Sequence, residues 1–119
     1  MRLAIDIQGL QSRGSRVRGI GRYSIEIVRN LISKFHDVEF VLVANATLID
    51  LREEFKFQLG LDNVSYINWI SPSPFDYLSK DIKRQTLAKY IKSYLYGCLD
   101  VDLILVTSFF EGFSDNCLT

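Results

Sequence analysis

The chain is poor in the residues that mark disulfide-rich, metal-binding and membrane-spanning proteins. Its two cysteines, Cys98 and Cys117, are too few for a disulfide framework or a cysteine-rich zinc site. They read as partly buried thiols in a reduced compartment. Neither Cys-x-x-Cys nor His-Glu-x-x-His occurs. The single histidine, His36, falls at the polar end of a helical pattern and reads as a solvated residue. Both prolines lie in Ser71-Pro72-Ser73-Pro74, a rigid turn segment. Neither sign of charge is in excess. The 14 basic and 14 acidic residues cancel, which excludes a global nucleic-acid footprint. Long apolar runs are absent too. Met1-Arg2 precedes only three apolar residues before Asp6, so no signal peptide is expected. No run approaches membrane-spanning length. There is no internal repeat and no low-complexity segment.

What remains is a chain of 119 residues, 48% apolar, which suits one domain with a real core. Four short apolar runs predict strands: Leu3–Ile7, Glu39–Ala44, Val64–Ile67 and Val101–Val106. None alternates strictly, as expected for a sheet covered on both faces. Helical patterns separate them. Ile20, Tyr23, Ile27, Leu31 and Phe35 repeat at three and four residues, widened by Ser24, Val28 and Ile32, with Arg22 and Glu26 paired on the wet side. A second helix is predicted over Leu48 to Phe57, with Leu48, Leu51 and Phe55 inward, Thr47 as N-cap and Gly60 at the exit. A third is predicted from Tyr77 to Tyr96. Leu78, Ile82, Leu87, Ile91, Tyr94 and Leu95 form its apolar side, and Gly97 ends it.

The order βαβαβαβ predicts an α/β fold: an open parallel Rossmann-like sheet with helices on both faces and strand order 3-2-1-4. About four strands make a truncated sheet. After the fourth strand, Ser114 or Asp115 resembles an N-cap for a helix that is not completed. The expectation is therefore a piece of a larger protein. Apolar residues such as Phe109, Phe110, Phe113 and Leu118 would be left partly uncovered, which invites self-association.

Between the first strand and first helix lies the most informative segment, residues 8–22. It holds Gly9, Gly14, Gly19 and Gly21, and Arg13, Arg16, Arg18 and Arg22. A strand, a glycine-rich turn and a helix N-terminus favour an anionic small molecule. The segment is not a dinucleotide fingerprint. Gly-x-Gly-x-x-Gly is absent, and the second strand ends Val43-Ala44-Asn45 with no carboxylate for a ribose. It is not a Walker loop either. Arg13, Arg16 and Arg18 read either as a solvated loop or as an anion clamp, since guanidinium suits phosphate and carboxylate. Gly19 and Gly21 fit close helix packing as well as ligand contact. Asp6, within a strand, needs partners and could brace the glycine loop or touch substrate. Glu111 could bind a sugar hydroxyl, act as a base, or form a loop salt bridge. Ser108 has no His–acid pair nearby in sequence. Trp69 fits a stacking platform or a core filler equally.

Asp6 to Gly9, followed by Arg18-Gly19-Ile20-Gly21-Arg22-Tyr23, resembles the opening of the retaining glycosyltransferases of the GT-B fold called group 1 or family 4. Ser108-Phe109-Phe110-Glu111-Gly112-Phe113 resembles their segment after the fourth strand. The resemblance implies two Rossmann-like domains with the active site between them. Residues 1–119 would be part of the N-terminal, acceptor-side domain. Its partner would be a C-terminal domain that binds a nucleotide-sugar donor. The glycine loop, Gly9 to Gly21, would face the interdomain cleft with Arg22, Ser108, Glu111 and Gly112. Asp6 and Tyr23 would support it. A saccharide or lipid-linked acceptor is implied, with no cofactor, no metal and no nucleic acid, in the cytoplasm or peripheral at the inner face of the membrane. One departure stands out: many members carry a histidine beyond the fourth strand, and here Thr107-Ser108 fills that place. The fragment alone is expected to be inactive, because transfer needs groups from both domains. The competing expectation is a small noncatalytic α/β module for interaction or nucleotide-binding regulation.

Overall fold

Apolar side chains on successive strand residues point to opposite faces, and both faces are covered. In the computed structural model, which describes residues 1–11, 19–70, 81–107 and 117–118, the strands are β1 (Arg2–Asp6), β2 (Glu39–Asn45), β3 (Val64–Trp69) and β4 (Leu103–Val106). All pair in parallel in the order 3-2-1-4, as the sequence predicts. A two-residue strand, β5 (Cys117–Leu118), extends the sheet beyond β4. Two α-helices cross over between strands: α1 (Gly19–Lys34) and α2 (Ile82–Leu99).

The layers follow from the strand period. Ile5, Phe40, Leu42 and Ala44 meet Ile25, Val28 and Ile32 of α1 on one face. Ala4, Val41, Val43, Ile104 and Val106 meet Tyr96 and Leu99 of α2 on the other. Each large side chain fully buried here contributes about 1.5–3 kcal/mol.

The local structure departs from the sequence expectation on each helix and after β2. The buried stripe of α1 is Ile25, Val28 and Ile32, whereas Ile27 and Phe35 are exposed. Val28 and Ile32 are buried as expected and Leu31 packs against the same core, while Ile25 joins them. Glu26 pairs with Arg29 at 2.7 Å instead of with Arg22.

The helix predicted over Leu48 to Phe57 is instead a run of turns ending in a 3₁₀ turn, Gln58–Gly60. Leu51 and Phe55 are buried as expected. However, Arg29 Nη2 donates to the Glu54 carbonyl at 2.6 Å. That is the acceptor a helix would offer to residue 58. Thr47 does not cap. Its amide and hydroxyl donate back to Asn45 Oδ1 at 3.0 and 2.7 Å.

On α2, Ile91 and Leu95 pack inward as expected, but Ile82, Leu87 and Tyr94 are exposed. Tyr77 and Leu78 lie outside the described residues. Gly97 does not end the helix. Leu99 does, followed by Asp100 at φ 51°, the left-handed conformation common just after a helix. Cys98 is a free, exposed thiol on this helix rather than a partly buried one. His36 is exposed as expected.

Candidate functional site

In a parallel sheet of this order, connections leave β1 and β4 in opposite directions, which opens a crevice beyond their C-terminal ends. Register puts Asp6 beside Val106 there and Asn45 beside Trp69 further along the same rim. The crossover after β1 directs the N-terminus of α1 towards this rim, and α2 passes it at Lys92 and Tyr96, in its second half.

Asp6 is its buried centre. Its backbone carbonyl accepts from Thr107 Oγ1 at 2.9 Å, joining β1 to the first residue after β4. Its Oδ1 accepts from the Gln8 amide at 3.0 Å. Its Oδ2 accepts from the Tyr96 hydroxyl at 2.8 Å and faces Lys92 Nζ at 3.1 Å. The two charged side chains are 2% and 4% exposed. A buried carboxylate requires such partners. Asp6 therefore braces the start of the glycine loop and ties it to α2, and both of its carboxylate oxygens are engaged.

A second buried amide extends the brace. Gln11 Nε2 donates to the carbonyls of Asn45 at 3.0 Å and Ile49 at 2.8 Å. Gln11 Oε1 accepts from the Asn45 amide at 2.8 Å. The loop after β1 is thus fastened to the loop after β2 by one side chain. Between them, Gln8–Leu10 forms a buried 3₁₀ turn, which includes Gly9. Its glycine is not in the left-handed region.

Of the sequence-derived site residues, Asp6 and Gly9 stand together at the rim. Gly19 and Gly21 form the first turn of α1, with Arg22 exposed beside them. Tyr23 follows in that helix. Arg13, Gly14, Arg16, Arg18, Ser108, Glu111 and Gly112 lie outside the described residues. Trp69 is a core filler: it is buried against the α2 face of the sheet, and its indole N–H has no hydrogen-bond partner. Among the described residues no three His, Cys, Asp or Glu side chains converge as a metal site would require. Nor, among them, is any helix long and apolar enough to cross a membrane.

Gln8, Gln11, Lys92 and Tyr96 were not marked by the sequence pattern. One signal was available: Lys92 sits among Ile91, Leu95, Tyr96 and Leu99 on an otherwise apolar helix face, where only a buried acid could hold it.

No family model matches the chain, and no solved structure matches it. It is 26% identical over 121 residues to the serotype-specific mannosyltransferase WbdA of Escherichia coli. That alignment takes in 98% of this chain but 14% of the relative's length, so the chain spans about one seventh of the curated protein it resembles. A Rossmann-like parallel sheet and a partial likeness to a sugar-transferring enzyme are what the chain displays.

Proposed function

We propose that residues 1–119 are part of the acceptor-side domain of a retaining GT-B glycosyltransferase. The complete enzyme moves a sugar from a nucleoside diphosphate donor to a saccharide or lipid-linked acceptor. The observation that carries this is the junction at Asp6. There β1 and its braced turn meet the end of β4, on the rim where open parallel sheets hold ligands, and the Gly19-Ile20-Gly21-Arg22-Tyr23 helix start follows from the same loop. The end-to-end similarity to a mannosyltransferase supports the same reading. Mannose is accordingly the first sugar to test.

In this arrangement the helix N-terminus and Arg22 face the cleft and favour phosphate. Arg13, Arg16 and Arg18 screen donor phosphates or order the loop. The donor lobe supplies the remaining groups, and the domain works in the cytoplasm or at the inner membrane face. The test is sugar transfer by the complete enzyme from UDP-, GDP- and ADP-sugars, GDP-mannose first. Arg16→Glu and Arg18→Glu lower turnover without unfolding the protein, whereas unchanged kcat and KM refute the clamp. Transfer by residues 1–119 alone refutes the two-lobed reading.

A further inference from the structure

We propose that β3 is a dimerisation edge, along which a second copy of this chain pairs antiparallel about a two-fold axis at Tyr66. β3 borders the sheet, with β2 on one side and, among the described residues, no strand on the other. Successive residues of a strand turn their backbone groups to opposite sides. The Asn63 and Trp69 carbonyls accept from the amides of Phe40, in β2, and Ala46, just after it, at 2.7 and 2.8 Å. The odd-numbered residues therefore bond to β2. The even-numbered ones, Val64, Tyr66 and Asn68, present N–H and C=O outward. The Val64 amide turns to the Leu61 carbonyl at 3.4 Å. Lysine, proline, a bulge or short length normally blunts an edge strand. Val64–Trp69 has none of these: it is six residues long, uncharged, free of proline, and in unbroken register with β2.

The pattern selects the occupant. Antiparallel pairing about an axis normal to the sheet keeps each face on its own side, so opposed residues share parity. Only the even residues offer bonds. Tyr66 opposite its own counterpart exchanges two hydrogen bonds with it, and the Asn68 amide then reaches the Val64 carbonyl of the second copy. In that register Ile70 falls opposite Asp62, beside Leu61. Ile70 and Leu61 are 73% and 42% exposed at opposite ends of the edge, so the axis brings one against the other twice. Phe57, 79% exposed, lies at the Leu61 end, where the Gln58–Gly60 turn packs beside β3. Charge agrees. Arg52 lies 6.0 Å over the Tyr66 ring and is bound to Asp50 at 2.6 Å, so the groups flanking the axis are neutral as a pair and one copy's arginine answers the other's aspartate. The same patch serves both copies, so the contact closes at two. β2 separates β3 from the Asp6 junction, so a monomeric result leaves the proposed transfer reaction untouched.

The experiment is sedimentation velocity on the chain, joined to amide exchange, at about 10 μM and about 1 mM. A dimer is expected at the higher concentration, with exchange at Tyr66 and Asn68 slowed by more than about tenfold relative to the lower. Asn68→Pro removes an outward N–H that β2 does not use, as edge strands tolerate, and weakens dimerisation by about tenfold or more. Ile70→Asp sets an acid against Asp62 of the second copy and weakens it by about tenfold, whereas Ile70→Lys faces the same acid and weakens it by less than about threefold. Asn68 and Ile70 are exposed, and unchanged circular dichroism confirms folding of each variant. A monomer at both concentrations, exchange at Tyr66 and Asn68 that ignores concentration, or equal effects of Ile70→Asp and Ile70→Lys overturns the proposal. A dimer that Tyr90→Ser dissolves and Asn68→Pro leaves intact assigns the contact to the outer face of α2 and overturns it as well.

Discussion

Replacing Lys92 with methionine is the sharpest probe of the rim. Lys92→Met keeps the unbranched stem among Ile91, Leu95 and Tyr96 and removes the ammonium that lies 3.1 Å from Asp6 Oδ2. The carboxylate stays buried, held by the Tyr96 hydroxyl at 2.8 Å and the Gln8 amide at 3.0 Å. Removing one partner of a buried ion pair costs about 3–5 kcal/mol, because the other charge is left uncompensated. The two remaining hydrogen bonds soften this, so about 3 kcal/mol is expected. Domains of this size are stable by about 5–15 kcal/mol, so the loss is a large share.

Urea unfolding followed by fluorescence suits the measurement, because Trp69 lies buried in the core cluster that α2 covers. With an m-value of about 1.5–3 kcal/mol/M, the midpoint falls by roughly 1–2 M. Asp6→Asn alone is also strongly destabilising, since Lys92 then loses its buried counterion. The double variant recovers part of the loss, with a coupling of about 1–3 kcal/mol. A Lys92→Met loss below about 1 kcal/mol, or losses that simply add in the double variant, refutes the view that this pair is one desolvated unit.

Three further outcomes are expected. Gly97 is exposed in the body of α2, and a Cβ there would meet nothing within 4 Å. Gly97→Ala therefore raises stability by about 0.5–1 kcal/mol in thermal or urea unfolding, and a loss would contradict the open packing. Gln11→Ala removes two buried hydrogen bonds and one part-buried one that join the loops after β1 and β2. It lowers stability by roughly 2–3 kcal/mol and raises amide exchange at Asn45, while unchanged exchange there would refute the fastening role. Burial pushes the Tyr66 phenol above its ordinary value of about 10. The folded state then holds its proton longer than the unfolded chain. The contribution is complete below pH about 10 and is lost as pH rises through the folded value. Tyr66→Phe flattens the alkaline limb of the stability curve, and an identical limb in both proteins would refute the assignment.

The strands were legible because both faces of the sheet are covered. Adjacent pairs such as Ala4-Ile5 and Val41-Leu42 send one side chain to each core, so the runs lack alternation and read as buried parallel strands. The helix faces were less legible. In α1 the expected Val28, Ile32 and Leu31 do face the sheet, but the apolar surface runs wider than one face, and only contact with the sheet adds Ile25 and leaves Ile27 and Phe35 outside. Over residues 48–57 the inward positions Leu51 and Phe55 were right and the conformation was not. A chain of turns buries the same two side chains, and the guanidinium that favours it comes from Arg29 on another element. At the rim, glycine and arginine drew notice through composition. Asp6 was legible as the brace, since a carboxylate within a strand needs partners. Its partners and Gln11 were not, because they are remote: Gln11 meets Asn45 34 positions away, and Asp6 meets Tyr96 90 positions away.

That remoteness gives the buried pair a role beyond its energy. A salt bridge sealed from water is weak evidence for stability, since apolar residues of similar volume would serve as well. What it supplies here is orientation. An apolar face on α2 could slide or rotate against the apolar face of the sheet, because hydrophobic contact is not directional. Lys92 and Tyr96 both reach one carboxylate oxygen of Asp6, and that geometry admits one rotation of the helix. Fixing Lys92 and Tyr96 inward also fixes which residues look outward: Lys83, Leu87, Tyr90 and Tyr94. The same carboxylate, through Gln8, sets the first turn of the glycine loop. One side chain at the switch point of the sheet therefore aligns two surfaces, the rim proposed to meet the sugar donor and the outer face of α2.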